Sequence, residues 1–252
     1  MPEVSALLQQ VGAVLLELRQ QPIGGEWHGE QLRTQADRIV HELLVQGLER
    51  IRPGLACISE EDEHGQISER PDEYWLIDPI DGTRSLAEGF DGFVSQVALM
   101  RQGRPVAGWI HAPALAQMYL ARKGGGATLN GQPLHLRPDG GLHCLTDNYP
   151  QPRGLAARAM VGLGIGNYLE CGSIALKICR VADGSADVFV KDVTVRHWDI
   201  APAQLVLEEA GGWLSDMTGA APHYHGSYQV QGLVATANPD QWQQVVSWLR
   251  TE

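Results

Sequence analysis

The chain has 252 residues, with 30 acidic and 19 basic side chains and a formal net charge of −11. That balance argues against a broad basic face for nucleic acid, which needs clustered Lys and Arg, and against an anionic membrane surface. An apolar share of 44% with 19% charged residues fits one large or two small globular domains and is too poor in charge for a disordered tail.

Val4, Leu7, Leu8, Val11, Val14, Leu15 and Leu18 recur at helical spacing, predicting an amphipathic helix that ends near Pro22 and Gly24-Gly25. A second helix is predicted from about Thr34 to Arg52, with Ile39, Val40, Leu43, Leu44, Leu48 and Ile51 as its stripe and Pro53-Gly54 as its stop. The period then changes. Strands are predicted at 55–59, 74–77, 94–101, 106–111 and 117–123, with turns at Gly124-Gly125-Gly126 and Asn130-Gly131. Two helices followed by mostly antiparallel strands read as an α+β layer. The second half reads as α/β. A helix at 172–181, a strand at 186–190, a helix at 201–210 closed by Gly211-Gly212 and a strand at 232–236 precede a last helix capped by Asn238 and Pro239. The Pro/Gly-rich stretch from about 137 to 154 is the expected boundary between an N-terminal domain, 1–136, and a C-terminal domain, 137–252.

The opening MPEVSALLQQ has Glu3 and no basic n-region, so no signal peptide is expected. Charge or Gln interrupts every longer apolar stretch. Cys57, Cys144, Cys171 and Cys179 form no CxxC pair and read as reduced core thiols, which together point to a cytoplasmic protein.

The densest polar constellation is Asp78-Pro79-Ile80-Asp81-Gly82-Thr83, directly after the apolar strand 74–77. Such a turn can aim two carboxylates and a carbonyl at one point, with the Gly82 and Thr83 amides offered to an anion. Metal ligands beside phosphate donors suit phosphoryl transfer. Glu60 and Glu61 follow the strand 55–59. Asp199, in Trp198-Asp199-Ile200-Ala201-Pro202, opens an apolar helix, where it is either a ligand or a simple N-cap. Asp62 and Glu63 read as solvated, and His223 and His225 as surface residues. An EF-hand is rejected, because Pro79 takes the second place and Gly89 the twelfth. A dehalogenase-type DxDGT site, with Asp78 as nucleophile, is a weaker alternative, because one extra residue separates the two aspartates.

SEED at 59–62, WLIDPIDGT at 75–83 and HWDIAP at 197–202 together resemble the inositol monophosphatase superfamily of Mg²⁺-dependent phosphomonoesterases. LNGQPL at 129–134, GSIALK at 172–177 and EEAGG at 208–212 also fit. The resemblance covers most of the chain. It implies a layered α-β-α-β-α sandwich with the site between an α+β half and an α/β half. It also implies that Glu60, Asp78 and the Ile80 carbonyl bind one Mg²⁺ and that Asp78, Asp81 and Asp199 bind a second. Glu60 and Thr83, helped by Asp37 of the Thr34–Asp37 segment, would orient the attacking water, and Gly82 and Thr83 would hold phosphate. Gly172, Ser173 and Asp192 fall on the substrate side. Members are commonly inhibited by Li⁺, and a homodimer is a family expectation.

Relatives carry a Lys shortly before the Thr-x-x-Asp segment. Here 24–37 reads GGEWHGEQLRTQAD with only Arg33, which puts a third, loosely held metal in question. SEED and GSIALK are closest to the 3′(2′),5′-bisphosphate nucleotidase branch, acting on 3′-phosphoadenosine 5′-phosphate. Asp192, seven residues before Asp199, instead matches an acid of the inositol monophosphatases, and DGTRS resembles the histidinol phosphatases. A small phosphorylated metabolite is the expected partner in each case, with no nucleic-acid polymer and no membrane.

Overall fold

The fold is taken from a computed structural model, which describes residues 2–20, 25–28, 31–62, 69–136 and 140–252, with 25–28 and 31–33 as backbone alone. Pro22, Gly24, Glu63, the Arg33 side chain and residues 137–139 of the expected boundary lie outside the described parts. α1 (Pro2–Leu18) is followed by the hairpin β1 (Gly25–His28) and β2 (Gln31–Thr34), then by α2 (Gln35–Ile51).

The next strands build a seven-stranded sheet. They are β3 (Cys57–Ser59), β4 (Glu73–Asp81), β5 (Val94–Arg101), β6 (Arg104–Ala112), β7 (Gln117–Arg122), β8 (Gly126–Leu129) and β9 (Gln132–Leu134), in sequence order, with the short helix α3 (Thr83–Glu88) between β4 and β5. Only β3 and β4 pair in parallel; every other neighbour is antiparallel. β8 and β9 turn at Asn130 and Gly131, both at positive φ (49° and 79°), as an Asn-Gly hairpin requires.

β10 (Cys144–Asp147), α4 (Gly154–Gly162), β11 (Asn167–Glu170), α5 (Ile174–Ala182), β12 (Val188–Arg196), α6 (His197–Ala210), β13 (Trp213–Ser215), β14 (Gln229–Thr236) and α7 (Pro239–Leu249) complete the chain. Their five strands form a mixed sheet in the order β11-β10-β12-β14-β13.

The stacking follows from alternation along β4. Trp75 and Ile77 face one side of the sheet and join Val4, Leu8, Leu15, Val40, Leu44 and Leu48 of α1 and α2. Tyr74 and Leu76 face the other side and share a core with α5 and α6 and with Phe189, Leu233 and Ala235 of the second sheet. A sheet buried on both faces needs no polar alternation, which is why 74–77 is wholly apolar. The far face of the second sheet packs Val188, Val190 and Val234 on α4 and α7. The order is helices, seven-stranded sheet, helices, five-stranded sheet, helices, the expected α-β-α-β-α sandwich. Trp75 meets Trp109 edge to face at 6.1 Å within the first core, a geometry worth about 0.5–1.5 kcal/mol beyond burial.

Three elements between 144 and 170 were not legible in sequence. β10 and β11 are four residues each, and α4, Gly-Leu-Ala-Ala-Arg-Ala-Met-Val-Gly, has a narrow apolar face. No described helix is long and apolar enough to cross a membrane. The cysteines are free thiols, Cys171 and Cys179 in the core, with Cys57 and Cys144 only half-buried.

Candidate active site

Strand and helix ends converge where the two sheets meet α5 and α6. β3 stops at Ser59, and the Glu60 amide donates to the Ile77 carbonyl (3.2 Å), which sets Glu60 beside the end of β4. Residues three apart on a regular strand face opposite sides. Asp78 pairs with Gln96, whereas Asp81 pairs with Val94, so three steps on β4 match two on β5. The extra residue is a bulge that turns both aspartates to the α5/α6 side. Pro79, with no N–H to donate, suits it, and its carbonyl accepts from Ser95 Oγ.

Asp199 sits in the first turn of α6, where its Oδ2 accepts from the Arg196 amide (2.7 Å). Asp199 is therefore not the N-cap, which is Arg196, but the third helical residue, whose carboxylate accepts the N-cap amide and also faces the cluster. One oxygen each of Glu60, Asp78 and Asp199 lies within 4.8 Å of the others. Asp81 stands beside them but turns its oxygens to the start of α5. It accepts from Ser173 Oγ (2.5 Å), the Ile174 amide (3.1 Å) and the Ala175 amide (2.7 Å).

Asp78 is buried; Glu60, Asp81 and Asp199 are half-buried. Burial, then repulsion by Glu61, Asp81 and Asp37, pushes Glu60 up to about 8. Burial and the neighbouring carboxylates raise Asp78 and Asp199 well above the usual carboxylate range. Asp81 is raised by burial, against the pull of its bonds to Ser173 and Ala175. Such a group of acids is uncomfortable without a cation, and Asp78 Oδ1 is buried with no hydrogen-bond partner. Hard oxygen donors around an orphaned carboxylate oxygen fit a divalent cation such as Mg²⁺.

Gln96, buried in β5, ties the cluster together. Its Nε2 donates to Asp78 Oδ2 and to the Asp199 carbonyl, both at 3.3 Å. Sequence reasoning missed it, although Ser95-Gln96 in an otherwise apolar strand was a usable signal.

Thr83 and Asp37 meet although 46 residues apart. Asp37 closes the capping box of α2, its Oδ2 accepting from the Thr34 amide and hydroxyl (2.7 Å each). Its Oδ1 is left to accept from Thr83 Oγ1 at 3.0 Å, and the same hydroxyl lies 3.0 Å from the Ile80 carbonyl. Burial raises Asp37 against these bonds. Gly82 holds φ 92° ahead of α3, a left-handed conformation that favours glycine.

A cleft of about 520 Å³ opens beside Asp81. Its walls include Gly82, Gly172 and Ser173, with Arg84, Arg153 and Lys177 as cations, Glu88 and Glu170 as acids, and the rings of Phe90 and Tyr149. Arg84 pairs with Glu88 (2.7 Å), and Arg153 stands 4.7 Å from the Tyr149 ring centre. Lys177 is almost fully buried and donates to Asn148 Oδ1 and the Gly172 carbonyl. Asp192, predicted on the substrate side, is exposed on the irregular stretch of β12 and is not among the lining residues. The cations of this wall were not singled out in sequence.

Gly172 packs on the chain at Gly92. A Cβ there would lie 2.1 Å from the Gly92 carbonyl oxygen and 2.5 Å from Ser85 Oγ. Gly172→Ala must therefore displace the 172–175 turn that holds Asp81. We expect kcat/KM to fall by about 10- to 100-fold, because misplacement by about 1 Å costs that much. A Gly172→Ala enzyme with unchanged steady-state kinetics would contradict this packing.

The model of the inositol monophosphatase family matches residues 3–250. The chain is 33% identical over 195 residues to an inositol-1-monophosphatase of Mesorhizobium japonicum, covering 74% of this chain and 72% of that one. It is 32% identical over 193 residues to a 3′(2′),5′-bisphosphate nucleotidase CysQ of Aggregatibacter actinomycetemcomitans, covering 73% and 71%. The solved IMPase of Thermotoga maritima superposes with a TM-score of 0.82 at 25% identity, over 98% of this chain and 94% of that one. The chain belongs to the inositol monophosphatase family. It is an Mg²⁺-dependent phosphomonoesterase acting on a phosphorylated small molecule.

Proposed function

We propose that the enzyme removes the 3′-phosphate of 3′-phosphoadenosine 5′-phosphate, as a 3′(2′),5′-bisphosphate nucleotidase. The observation that carries this reading is the wall beyond Asp81, where Arg84, Arg153 and Lys177 stand with the Phe90 and Tyr149 rings. A substrate with a second phosphate and an aromatic base uses both features, by charge-assisted hydrogen bonds and by stacking. A polyol monophosphate uses neither. Hydrolysis of inositol 1-phosphate is the second reading, favoured by the 33% identical relative.

In either case the same residues act. Glu60, Asp78 and the Ile80 carbonyl would hold one Mg²⁺, and Asp78, Asp81 and Asp199 a second. When bound, the metals would supply positive charge for the attacking and leaving oxygens. Asp37 accepts the Thr83 hydroxyl hydrogen bond, which leaves the Thr83 oxygen lone pairs to accept from water. Glu60, beside it, takes up the proton that the water loses. The Gly82 and Thr83 amides hold the phosphate oxygens, and Gly172 and Ser173 border the substrate.

The test is phosphate release with Mg²⁺ from adenosine 3′,5′-bisphosphate, inositol 1-phosphate, fructose 1,6-bisphosphate and histidinol phosphate. The highest kcat/KM is expected for the adenosine bisphosphate. Arg153→Glu should raise its KM about tenfold or more, since a charge-assisted hydrogen bond is worth about 1.5–3 kcal/mol. Preference for inositol 1-phosphate, or an equal effect of Arg153→Glu on every substrate, would overturn the assignment.

A further inference from the structure

We infer that Arg70 is a positioning residue for the metal site: it fixes His197 and the 224–228 segment, and through them the first turn of α6 that presents Asp199. This rests on the assignment of Asp199 as a metal ligand.

Arg70 lies between the two metal-binding motifs of the N-terminal half, Glu60 and Asp78; beside Tyr74 of β4, it reaches partners in the C-terminal half. Its Nη1 donates to His197 Nδ1 at 3.0 Å and to the Tyr224 carbonyl, and its Nη2 donates to the Gly226 carbonyl at 2.9 Å. Its guanidinium carbon stacks 3.9 Å from the centre of the Tyr228 ring. One planar group thus gathers three backbone or ring acceptors and an aromatic face, a pattern that Lys cannot reproduce.

His197 is the link to Asp199. It is fully buried, its amide donates to the Tyr228 carbonyl (2.9 Å), and its ring packs edge-on to Tyr224 with centres 4.9 Å apart. Arginine can only donate, so Nδ1 is an acceptor and the imidazole is neutral. Trp198 completes the packing against Tyr228, at 5.3 Å. His197 and Asp199 share the first turn of one helix, so an anchor on the first sets the position of the second.

The geometry matters because Asp199 comes from a different sheet layer than Glu60 and Asp78. Three like-charged groups push one another apart, and Gln96 of β5 bridges them only through hydrogen bonds of 3.3 Å to Asp78 Oδ2 and the Asp199 carbonyl. Residues that orient metal ligands from outside typically cost 10- to 100-fold in metal affinity when removed.

The experiment is Mg²⁺ titration of metal-free protein by calorimetry, alongside kinetics as a function of Mg²⁺. Arg70→Met keeps much of the side-chain bulk and removes the donors; Arg70→Lys keeps the charge. Both should weaken Mg²⁺ binding by about 10- to 100-fold, with kcat largely recovered at saturating Mg²⁺. Arg101→Ala, at an exposed arginine paired with Glu73, serves as control and should leave both readouts unchanged. Wild-type Mg²⁺ affinity in Arg70→Met and Arg70→Lys, even with a lowered melting temperature, would reduce Arg70 to a structural role and overturn the inference. Absence of Mg²⁺ binding in the wild type would instead defeat the assignment of the metal site.

Discussion

Asp78→Asn is expected to lower Mg²⁺-dependent phosphate release by on the order of 10³-fold or more. Asp78 is the carboxylate assigned to both metals and the most deeply buried of the cluster. Metal ions contribute several kcal/mol of charge stabilisation to the transition state, and about 1.4 kcal/mol is tenfold in rate. The same change removes one of the mutually repelling charges, so the metal-free variant should melt above the metal-free wild type. Steady-state kinetics and a melting curve on one preparation check both statements. Activity within tenfold of wild type would refute the role of Asp78.

The second large effect is on stability against pH. The Glu60 carboxyl sits at about 8 in the folded chain, against an ordinary value of 4.5 when unfolded. Between pH 7 and 8.5 the folded state therefore binds more protons than the unfolded state, and stability must fall as pH rises. Asp78 and Asp199, raised by burial, act in the same direction. His41, His111 and His197 are all lowered, hence already neutral in both states across most of this window, and add little slope. Mg²⁺ reverses the sign of the local field and removes the penalty. Melting temperature should fall from pH 7 to 8.5 in chelator and much less in Mg²⁺, with Glu60→Gln flattening the chelator curve. Parallel curves with and without Mg²⁺ would show that the cluster does not hold the ion.

Much of this site was legible because its signals are local. DPIDGT after a four-residue apolar strand announces two carboxylates at a strand end, and the structure adds the bulge that turns them to one side. Thr34 reads as a helix start, and it is the N-cap of α2; that Asp37 closes its capping box and gives a surplus oxygen to Thr83 depends on how α2 packs. Helix α6 begins at His197 rather than near 201 and carries Pro202 in its second turn, where the Trp198 carbonyl goes without its intrahelical donor. Gln96, Arg70 and the cations of the cleft were hidden for a common reason. Each acts across layers, through partners tens of residues away, and no sequence period marks such a meeting.

The most direct test of the account is Mg²⁺ binding to metal-free wild type and Asp78→Asn near pH 8, measured by calorimetry on samples whose phosphatase activity is also recorded. Saturable Mg²⁺ binding that rises in step with activity is expected in the wild type, and loss of both in Asp78→Asn. A wild type that hydrolyses phosphomonoesters without binding Mg²⁺, or an Asp78→Asn protein that binds Mg²⁺ as the wild type does, would contradict it.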